Sequence, residues 1–237
     1  MLKVELHSHS GDDPVDRLPY ATTDLIDRAA SHGYDALAIT LHDHRFDIEP
    51  LAGYARARGV TLIPGIERTI EGRHVLLLNF GVAVDRVATF ADLARLKAEG
   101  HGVVIAPHAF YPTSTCLGSQ LMARYAHLFD AIEYNAMFTA SVNFNRPAER
   151  FARLYGKPMV GNGDIHRLSQ LNTTFSLVDA APDADAICAA VRAGRVSVQA
   201  TPLTAFAAVA TLTDLVGMSV RRKLFWPEVP ASAPVEA

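Results

Sequence analysis

The sequence has few cysteines, little net charge and no long apolar segment, and each shortage argues against a class of protein. Its 237 residues include two cysteines, Cys116 and Cys188, too few for a disulfide framework and without the paired spacing of a zinc motif. The net charge of −3 gives no sign of the positive field that holds a polyanion. No apolar segment is both long enough and sufficiently free of charge to cross a bilayer.

These shortages set the expectations about location and partners. The first six residues carry charges and lead directly into a strand, so we expect no signal peptide and a cytoplasmic protein. We expect neither a membrane nor a nucleic acid as a partner. A small phosphorylated substrate would have to be held locally, by metal ions or a few arginines. The oligomeric state cannot be read from the sequence.

Short apolar segments alternate with amphipathic segments along most of the chain. The pattern predicts strands near residues 4–6, 36–40, 60–63, 75–80, 103–106, 131–134, 158–160, 174–178 and 196–198. Helices are predicted between them, and a last helix near residues 204–222. Serial alternation is typical of an α/β protein with a parallel sheet, and at this length a closed barrel is favoured over the alternative, an open doubly wound sheet.

The domain organisation is expected to be simple. Residues 1–226 form one domain in this interpretation. Residues 227–237 are rich in proline and alanine and have no periodic pattern, so we expect a disordered tail there.

Histidine is what the sequence does have, ten in all, and most of them follow predicted strands. His7 and His9 end the first strand two residues apart, so both imidazoles point the same way. His42 and His44 repeat this spacing after the second strand. One such pair of histidines is as often solvated as bound to metal. Because a second pair follows the next strand, a chance arrangement of solvated histidines becomes a much weaker explanation.

Further ligand-type residues follow at the later strands. Glu67 could bridge two cations, although an isolated glutamate there is more often a salt-bridge partner. Because the carboxyl ends of parallel barrel strands meet at one face, these side chains should lie together. Imidazole and carboxylate suit zinc, manganese and iron. The other residues of this kind are His74, His108, Glu133, Asn135, Asp164 and His166.

In their order along the chain, these segments resemble the motifs of the PHP (polymerase and histidinol phosphatase) superfamily. The resemblance covers about residues 1–200 and implies a distorted (β/α)7 TIM-like barrel that holds two or three divalent ions of manganese, iron or zinc. The matching segments are Leu6–Ser10, Ala38–Asp43, Gly65–Glu67, Ala106–His108, Ile132–Asn135 and Gly163–His166.

The resemblance also implies which residues hold each ion. It assigns His7, His9 and Asp164 to the first ion. Glu67 would bridge this ion to a second one, bound by His108 with His74 as an additional ligand. The third ion would be bound by His42, His166 and an acid of the first loop, which is Asp12 or, preferably, Asp13. The sequence departs from the family in the spacing of this loop. It also departs at Leu41, where an aspartate is common, and in the additional His44.

Together, the ligand set and the resemblance predict a metal-dependent phosphoesterase that hydrolyses a small phosphomonoester or nucleotide with metal-activated water. Glu67 and His44 are the candidates for catalytic roles; the leaving alkoxide would take its proton from His44 or from a metal-bound water. The candidates for substrate binding are Arg45, Arg68, Asn135 and Arg167, although an exposed arginine without this role is at least as common.

Three other functions stay open at this point. An amide or ester hydrolase could use the same ions, but the strand ends offer no lysine suited to carbamylation. A single-strand nuclease is disfavoured by the acidic balance and the short chain. A non-catalytic metal-binding domain would be expected to have lost ligands, and here the principal ones are present.

Overall fold

The computed structural model describes residues 1–213 and Gly217. The named strands are β1 (Leu2–Glu5), β2 (Ala36–Ile39), β3 (Thr61–Ile70), β4 (Arg73–Leu78), β5 (Val103–Ala106), β6 (Ala131–Asn135), β7 (Met159–Asn162), β8 (Thr174–Val178) and β9 (Val196–Ala200). The named helices are α1 (Thr22–Ser31), α2 (Glu49–Arg56), α3 (Phe90–Glu99), α4 (Gly118–Tyr125), α5 (Asn145–Tyr155) and α6 (Ala184–Arg192).

The end of the chain is described only in part. Residues 205–213 are helical, as predicted, while most of the remaining predicted helix and the predicted tail at 227–237 lie outside the described residues. Within the described part of the chain, no helix is long and apolar enough to cross a membrane.

The nine strands form one sheet in the order β7-β6-β5-β4-β3-β2-β1-β8-β9. The sheet curls until the residues that follow β1 and β7 meet, where Ser8 pairs in parallel with Ile165. His9 N donates to Ile165 O over 3.1 Å, and Ile165 N donates to His7 O over 3.1 Å. The sheet is therefore a nearly closed barrel, which confirms the predicted distorted TIM-like fold of a single α/β domain.

The expectation of uniformly parallel strands is wrong at two places. β4 runs antiparallel to both β3 and β5, and β8 runs antiparallel to both β1 and β9. The reversal at β4 comes from a two-residue turn, Glu71-Gly72, in which both residues have positive φ angles of 48° and 75°. This is the backbone of a tight hairpin turn, and Gly72 adopts it without strain.

The reversed strand decides where His74 lies. In a parallel barrel, the first residues of a strand lie at the face opposite the carboxyl ends. Because β4 is reversed, its first residues lie at the same face as the carboxyl ends of β3 and β5. His74 therefore reaches the face that carries Glu67 and His108.

Apolar contacts hold the helices against the outside of the sheet. Leu25 and Ile26 of α1 and Ala55 of α2 pack in one cluster with Leu37 and Ile39 of β2, and all five side chains are fully buried. Burial of a leucine or isoleucine side chain contributes ~1.5–3 kcal/mol. This packing fixes β2, and with it the loop that carries His42.

Gly161 in β7 lies close to the backbone of β8 and to the side chain of Val198 in β9. A Cβ at this buried position would lie 2.6 Å from Phe175 O and 2.9 Å from Val198 Cγ1. We expect Gly161→Ala to destabilise the protein by ~1–3 kcal/mol, because the backbone of β8 cannot move aside cheaply. Unfolding in urea measures this change.

Gly53 provides the matched control. It is exposed in the interior of α2, and apart from its chain neighbours and the backbone of its own helix no described residue has an atom within 4 Å of its ideal Cβ. Gly53→Ala should leave stability unchanged or raise it by ~0.5–1 kcal/mol, because alanine favours the helix. Equal stability of the two variants would contradict the close contact at Gly161.

Candidate metal centre

Glu67 lies in β3 at the centre of a group of histidines, and its side chain is 1 % exposed. Its Oε2 atom is 3.1 Å from His42 Nε2, 3.3 Å from His7 Nε2 and 3.4 Å from His9 Nε2. His7 and His9 follow β1, and His42 follows β2. Three imidazoles from two neighbouring strands thus converge on one carboxylate oxygen.

The second oxygen of Glu67 faces a different pair of rings. Its Oε1 atom is 2.7 Å from His74 Nδ1, at the start of β4, and 3.1 Å from His108 Nε2, which follows β5. A carboxylate with each oxygen directed to its own set of imidazoles has the arrangement of a ligand that bridges two cations. We call the two halves of the centre the Oε2 side and the Oε1 side.

Unpaired buried atoms test whether the centre fits a metal ion. His7 Nε2, His9 Nε2 and Asp164 Oδ1 are buried, and none has a hydrogen-bond partner among the described residues. The two nitrogens lie 3.4 and 3.7 Å from the Asp164 oxygen. An unpaired buried polar atom costs ~1–3 kcal/mol, and three that face one another have the chemistry of a donor set for a cation. The residues fit a divalent metal ion.

Hydrogen bonds on the far side of the rings hold them in this orientation. His7 Nδ1 is 2.8 Å from Glu133 Oε2, His9 Nδ1 is 2.8 Å from Asp13 Oδ2, and His42 Nδ1 is 2.9 Å from the same Asp13 oxygen. A carboxylate there keeps the proton on Nδ1 and leaves the Nε2 lone pair directed at the centre. Metal-binding histidines characteristically have such partners.

Glu133, in β6, links several parts of the centre. Besides the ring of His7, it accepts hydrogen bonds from His108 N (3.0 Å), Asn135 Nδ2 (2.8 Å) and Asn162 Nδ2 (3.0 Å). Its side chain is fully buried. The sequence indicated Glu133 as a strand-end acid but assigned it no function; the structure shows that it supports both sides of the centre.

The first loop supplies an acid that the sequence analysis missed. Asp13 Oδ2 accepts hydrogen bonds from the rings of His9 and His42, so its carboxylate lies behind these rings. Asp16 Oδ2, in contrast, lies 2.9 Å from His166 Nε2 and 3.7 Å from His42 Nδ1. Asp16 is therefore the loop acid placed beside the histidines predicted for a third ion. No strand periodicity pointed to it.

His9, His42 and His166 form this third group of possible ligands, with ligand atoms all within 4.8 Å of one another. The ring centroids of His9 and His166 are 4.3 Å apart. Asp12 lies away from the group, because its Oδ2 accepts a hydrogen bond from Thr22 Oγ1 over 2.7 Å.

The electrostatics follow from this mixture of acids and imidazoles. Burial would raise the pKa of Glu67, but the surrounding histidines, His74 first, hold it well below its usual range. Burial opposes protonation of His7 and His166, yet neighbouring carboxylates raise the pKa of both rings well above the ordinary value. The carboxylates therefore need positive charge beside them, from protons or from cations.

The backbone is strained where two of the ligand-type residues sit. His108 has a φ of 30° and Asp164 a φ of 49°. Residues other than glycine seldom adopt positive φ, and the surrounding contacts must impose it. Such positions cluster at functional sites, which agrees with the convergence of both side chains on Glu67 and His7.

The remaining predicted site residues lie outside this group or beneath it. His44 is exposed. Arg45 faces Asp85 at 3.7 Å, and Arg68 donates to Val87 O over 2.7 Å. Asn135 is 1 % exposed, and its amide donates to Glu133 and to Asp164 Oδ2.

The buried Asn135 therefore holds the carboxylate of Asp164 through a hydrogen bond and does not line an open surface. Arg167 follows His166, and its backbone N–H donates to Gln170 Oε1 over 2.7 Å. The structure therefore brings together the predicted metal ligands, and it places Asn135 beside Asp164 among them.

Comparison with known proteins gives a family match over part of the chain and a shared fold over most of it. Residues 142–196 match the family model described as PHP-associated. No curated protein sequence matches the chain. A crystal structure of PsfC from Pseudomonas syringae is similar, with a TM-score of 0.64 at 20% identity, over 92% of this chain and 98% of that one.

Two further solved structures share the fold at lower scores. A protein from Bifidobacterium adolescentis, provisionally assigned as a metal-dependent phosphoesterase, has a TM-score of 0.57 at 14% identity, over 71% of this chain and 89% of its own. The lesion-specific endonuclease Q from Pyrococcus furiosus has a TM-score of 0.57 at 16% identity, over 83% of this chain and 57% of its own.

These similarities correct one expectation about partners. Endonuclease Q has also been seen in complex with a 27-mer DNA duplex whose abasic lesion lies at the active site. The expectation that nucleic acid is not a partner is therefore wrong, because a protein with this fold does hold DNA. The net charge misled us, since it counts side chains and omits the cations that neutralise phosphates locally.

Three observations of different kinds agree on the family that this chain resembles. The barrel, the acids and histidines centred on Glu67, and the match to the PHP-associated model agree with the resemblance of the sequence motifs. They support the resemblance of this chain to the PHP superfamily, which the family model matches directly over residues 142–196.

Proposed function

We propose that this protein is a metal-dependent hydrolase that cleaves phosphoesters with water. The observation that carries the proposal is the position of Glu67, whose two oxygens face separate groups of histidines. Divalent cations held by these residues would supply an activated water and positive charge for the phosphoryl oxygens.

The side chains of this chain have distinct tasks in that reaction. His7, His9 and Asp164 would hold a cation on the Oε2 side, and His74 and His108 one on the Oε1 side. Glu133 and Asp13 keep the imidazole protons on the outer nitrogens, so that the inner lone pairs stay available. Asp16, His42 and His166 would hold a third cation.

Small phosphomonoesters and nucleotides are the first substrates of this proposal. In it, His44 donates a proton to the leaving group, and Arg45, Arg68 or Arg167 binds the phosphate. The structural relatives that break phosphoesters support the reaction type. DNA forms a second class of substrate to be tested, because endonuclease Q acts on it with the same fold.

The test is turnover by purified protein loaded with manganese, iron or zinc. A panel of phosphomonoesters, nucleotides, phosphodiesters and DNA with and without an abasic site is compared with matched amides and carboxylic esters. We expect metal-dependent release of phosphate or cleavage of DNA, and a loss of at least about 100-fold in His7→Ala/His9→Ala.

His101→Ala serves as the control variant, because His101 is exposed and contributes no ligand-type contact to the centre. It should keep the full rate. The proposal would fail if metal-loaded protein cleaved no phosphoester faster than the double variant did. Cleavage of amides or carboxylic esters alone would favour the alternative hydrolase.

A further inference from the structure

One ligand-type histidine has an outer partner unlike those of its neighbours. The Nδ1 atoms of His7, His9 and His42 each face a buried carboxylate oxygen at 2.8–2.9 Å. The Nδ1 atom of His108 instead lies 3.2 Å from the sulfur of Cys116. This contact joins a residue that follows β5 to the loop before α4.

With a cation on the Oε1 side, the position of the proton on His108 would follow from the two contacts of its ring. Its Nε2 faces Glu67 Oε1, and a neutral ring offers a lone pair there only if Nδ1 carries the proton. The Nδ1–H group then donates to Cys116 Sγ. The sulfur also lies 2.9 Å from Thr113 Oγ1, and the Cys116 side chain is 4 % exposed. The thiol is thus held between His108 and Thr113, away from solvent.

The same short segment also holds the second histidine of the Oε1 side. His74 N donates to Thr115 O over 2.9 Å, and the guanidinium of Arg73 donates to Cys116 O over 3.1 Å and to Ser114 O. Residues 113–116 therefore contact both His74, through the backbone, and His108, through the thiol. Both are the histidines that face Glu67 Oε1.

We propose that Cys116 is a positioning residue for His108 and that residues 113–116 set the affinity of the cation on the Oε1 side. The inference rests on the proposed metal centre. A thiol accepts a hydrogen bond more weakly than a carboxylate and so makes the imidazole a weaker ligand. The cation on the Oε1 side therefore binds more weakly than the cation on the Oε2 side.

A buried cysteine that only fills space would behave differently, and the chain contains one for comparison. Cys188 in α6 is 1 % exposed and packs in an apolar cluster, where burial raises its pKa to about 12. Cys116, in contrast, has two polar partners, His108 Nδ1 at 3.2 Å and Thr113 Oγ1 at 2.9 Å.

The experiment measures metal binding, not turnover. Wild type, Cys116→Ala, Cys116→Ser and Cys188→Ala are titrated with Mn²⁺ by calorimetry, and bound metal is counted by elemental analysis. We expect Cys116→Ala to bind the weaker ion about 10- to 100-fold less tightly, with the tighter ion unchanged. Cys116→Ser keeps an acceptor for His108 and should recover most of the affinity, and Cys188→Ala should match wild type at both positions.

Cys116→Val fills the space of the thiol without an acceptor and replaces Cys116→Ala if the smaller residue impairs folding. Unchanged affinities in Cys116→Ala or Cys116→Val overturn this inference alone. Equal losses in the Cys116 and Cys188 variants, or a serine variant as weak as alanine, also overturn it, because packing alone would then explain the effect. Wild-type protein that binds no metal overturns the proposed function together with this inference.

Discussion

Replacing Glu67 with glutamine should lower kcat/KM for any phosphoester substrate by at least about a thousandfold, equivalent to ~4 kcal/mol of transition-state stabilisation. Glutamine has nearly the same shape but offers one acceptor oxygen, and its NH₂ group would face either the Oε2 side or the Oε1 side. On either side, the NH₂ group of glutamine would repel a cation and could not accept a hydrogen bond from an imidazole. One of the two cation positions is therefore lost.

Metal content separates this explanation from a loss of fold. Elemental analysis of Glu67→Gln should show about one bound ion fewer than wild type. Glu99→Gln is the matched control, since Glu99 is exposed at the end of α3 and makes no contact with the centre. A Glu67→Gln variant that kept its metal and lost less than tenfold in kcat/KM would show that Glu67 does not bridge two ions.

The fold could be predicted from the sequence because each strand and helix has its own local pattern. What the pattern could not give was the direction of β4, because an apolar run reads the same in either direction. The signal lay in Glu71-Gly72, a pair typical of tight turns, between a predicted strand that ended too early and one that began too late. Pairing of Thr69 with His74 became visible only in the structure.

The residues of the metal centre were also predicted only in part. His7, Glu67 and Asp164 were expected to lie together because each follows a predicted strand, and strand ends share one face of a barrel. In the structure β3 continues past Glu67 to Ile70. Asp16 and Cys116 lie in loops without periodicity, so nothing in the sequence related them to His166 or His108. Loop contributions of this kind depend on the three-dimensional path of the chain.

Removing the metal should reverse how the protein responds to rising pH. We expect chelated protein to lose stability as the pH rises from about 6 to 9, while protein in saturating Mn²⁺ does not. A cation at ~1,000 times its dissociation constant stabilises the folded state by ~4 kcal/mol, or roughly 8–16 °C in Tm for a domain of this size. Tm measured from pH 5 to 9, with chelator and with Mn²⁺, tests the expectation.

The expected loss of stability with rising pH follows from the direction in which each pKa is shifted. His7, His108 and His166 have pKa values raised above the ordinary 6.5, so the stability they contribute is complete below pH 6.5 and is lost as the pH rises through the raised values. Burial raises the pKa of Glu5 to about 8, which adds a loss in the same direction.

The carboxylates whose pKa values are lowered affect the stability of the protein at low pH. Glu67 and Asp164 contribute stability above their ordinary values of 4.5 and 3.8, and this contribution is lost as the pH falls. Because the loss from Glu5 already begins above pH 4.5, chelated protein should be most stable near the lower end of the range from about pH 4.5 to 6.5.

Bound cations replace the imidazole protons as the positive charge beside these carboxylates, and they bind more tightly as the imidazoles lose their protons. The maximum of stability should consequently move above pH 7 in Mn²⁺. Parallel curves with and without metal would mean that the histidines and acids balance one another without a cation, and the metal centre itself would then be in question.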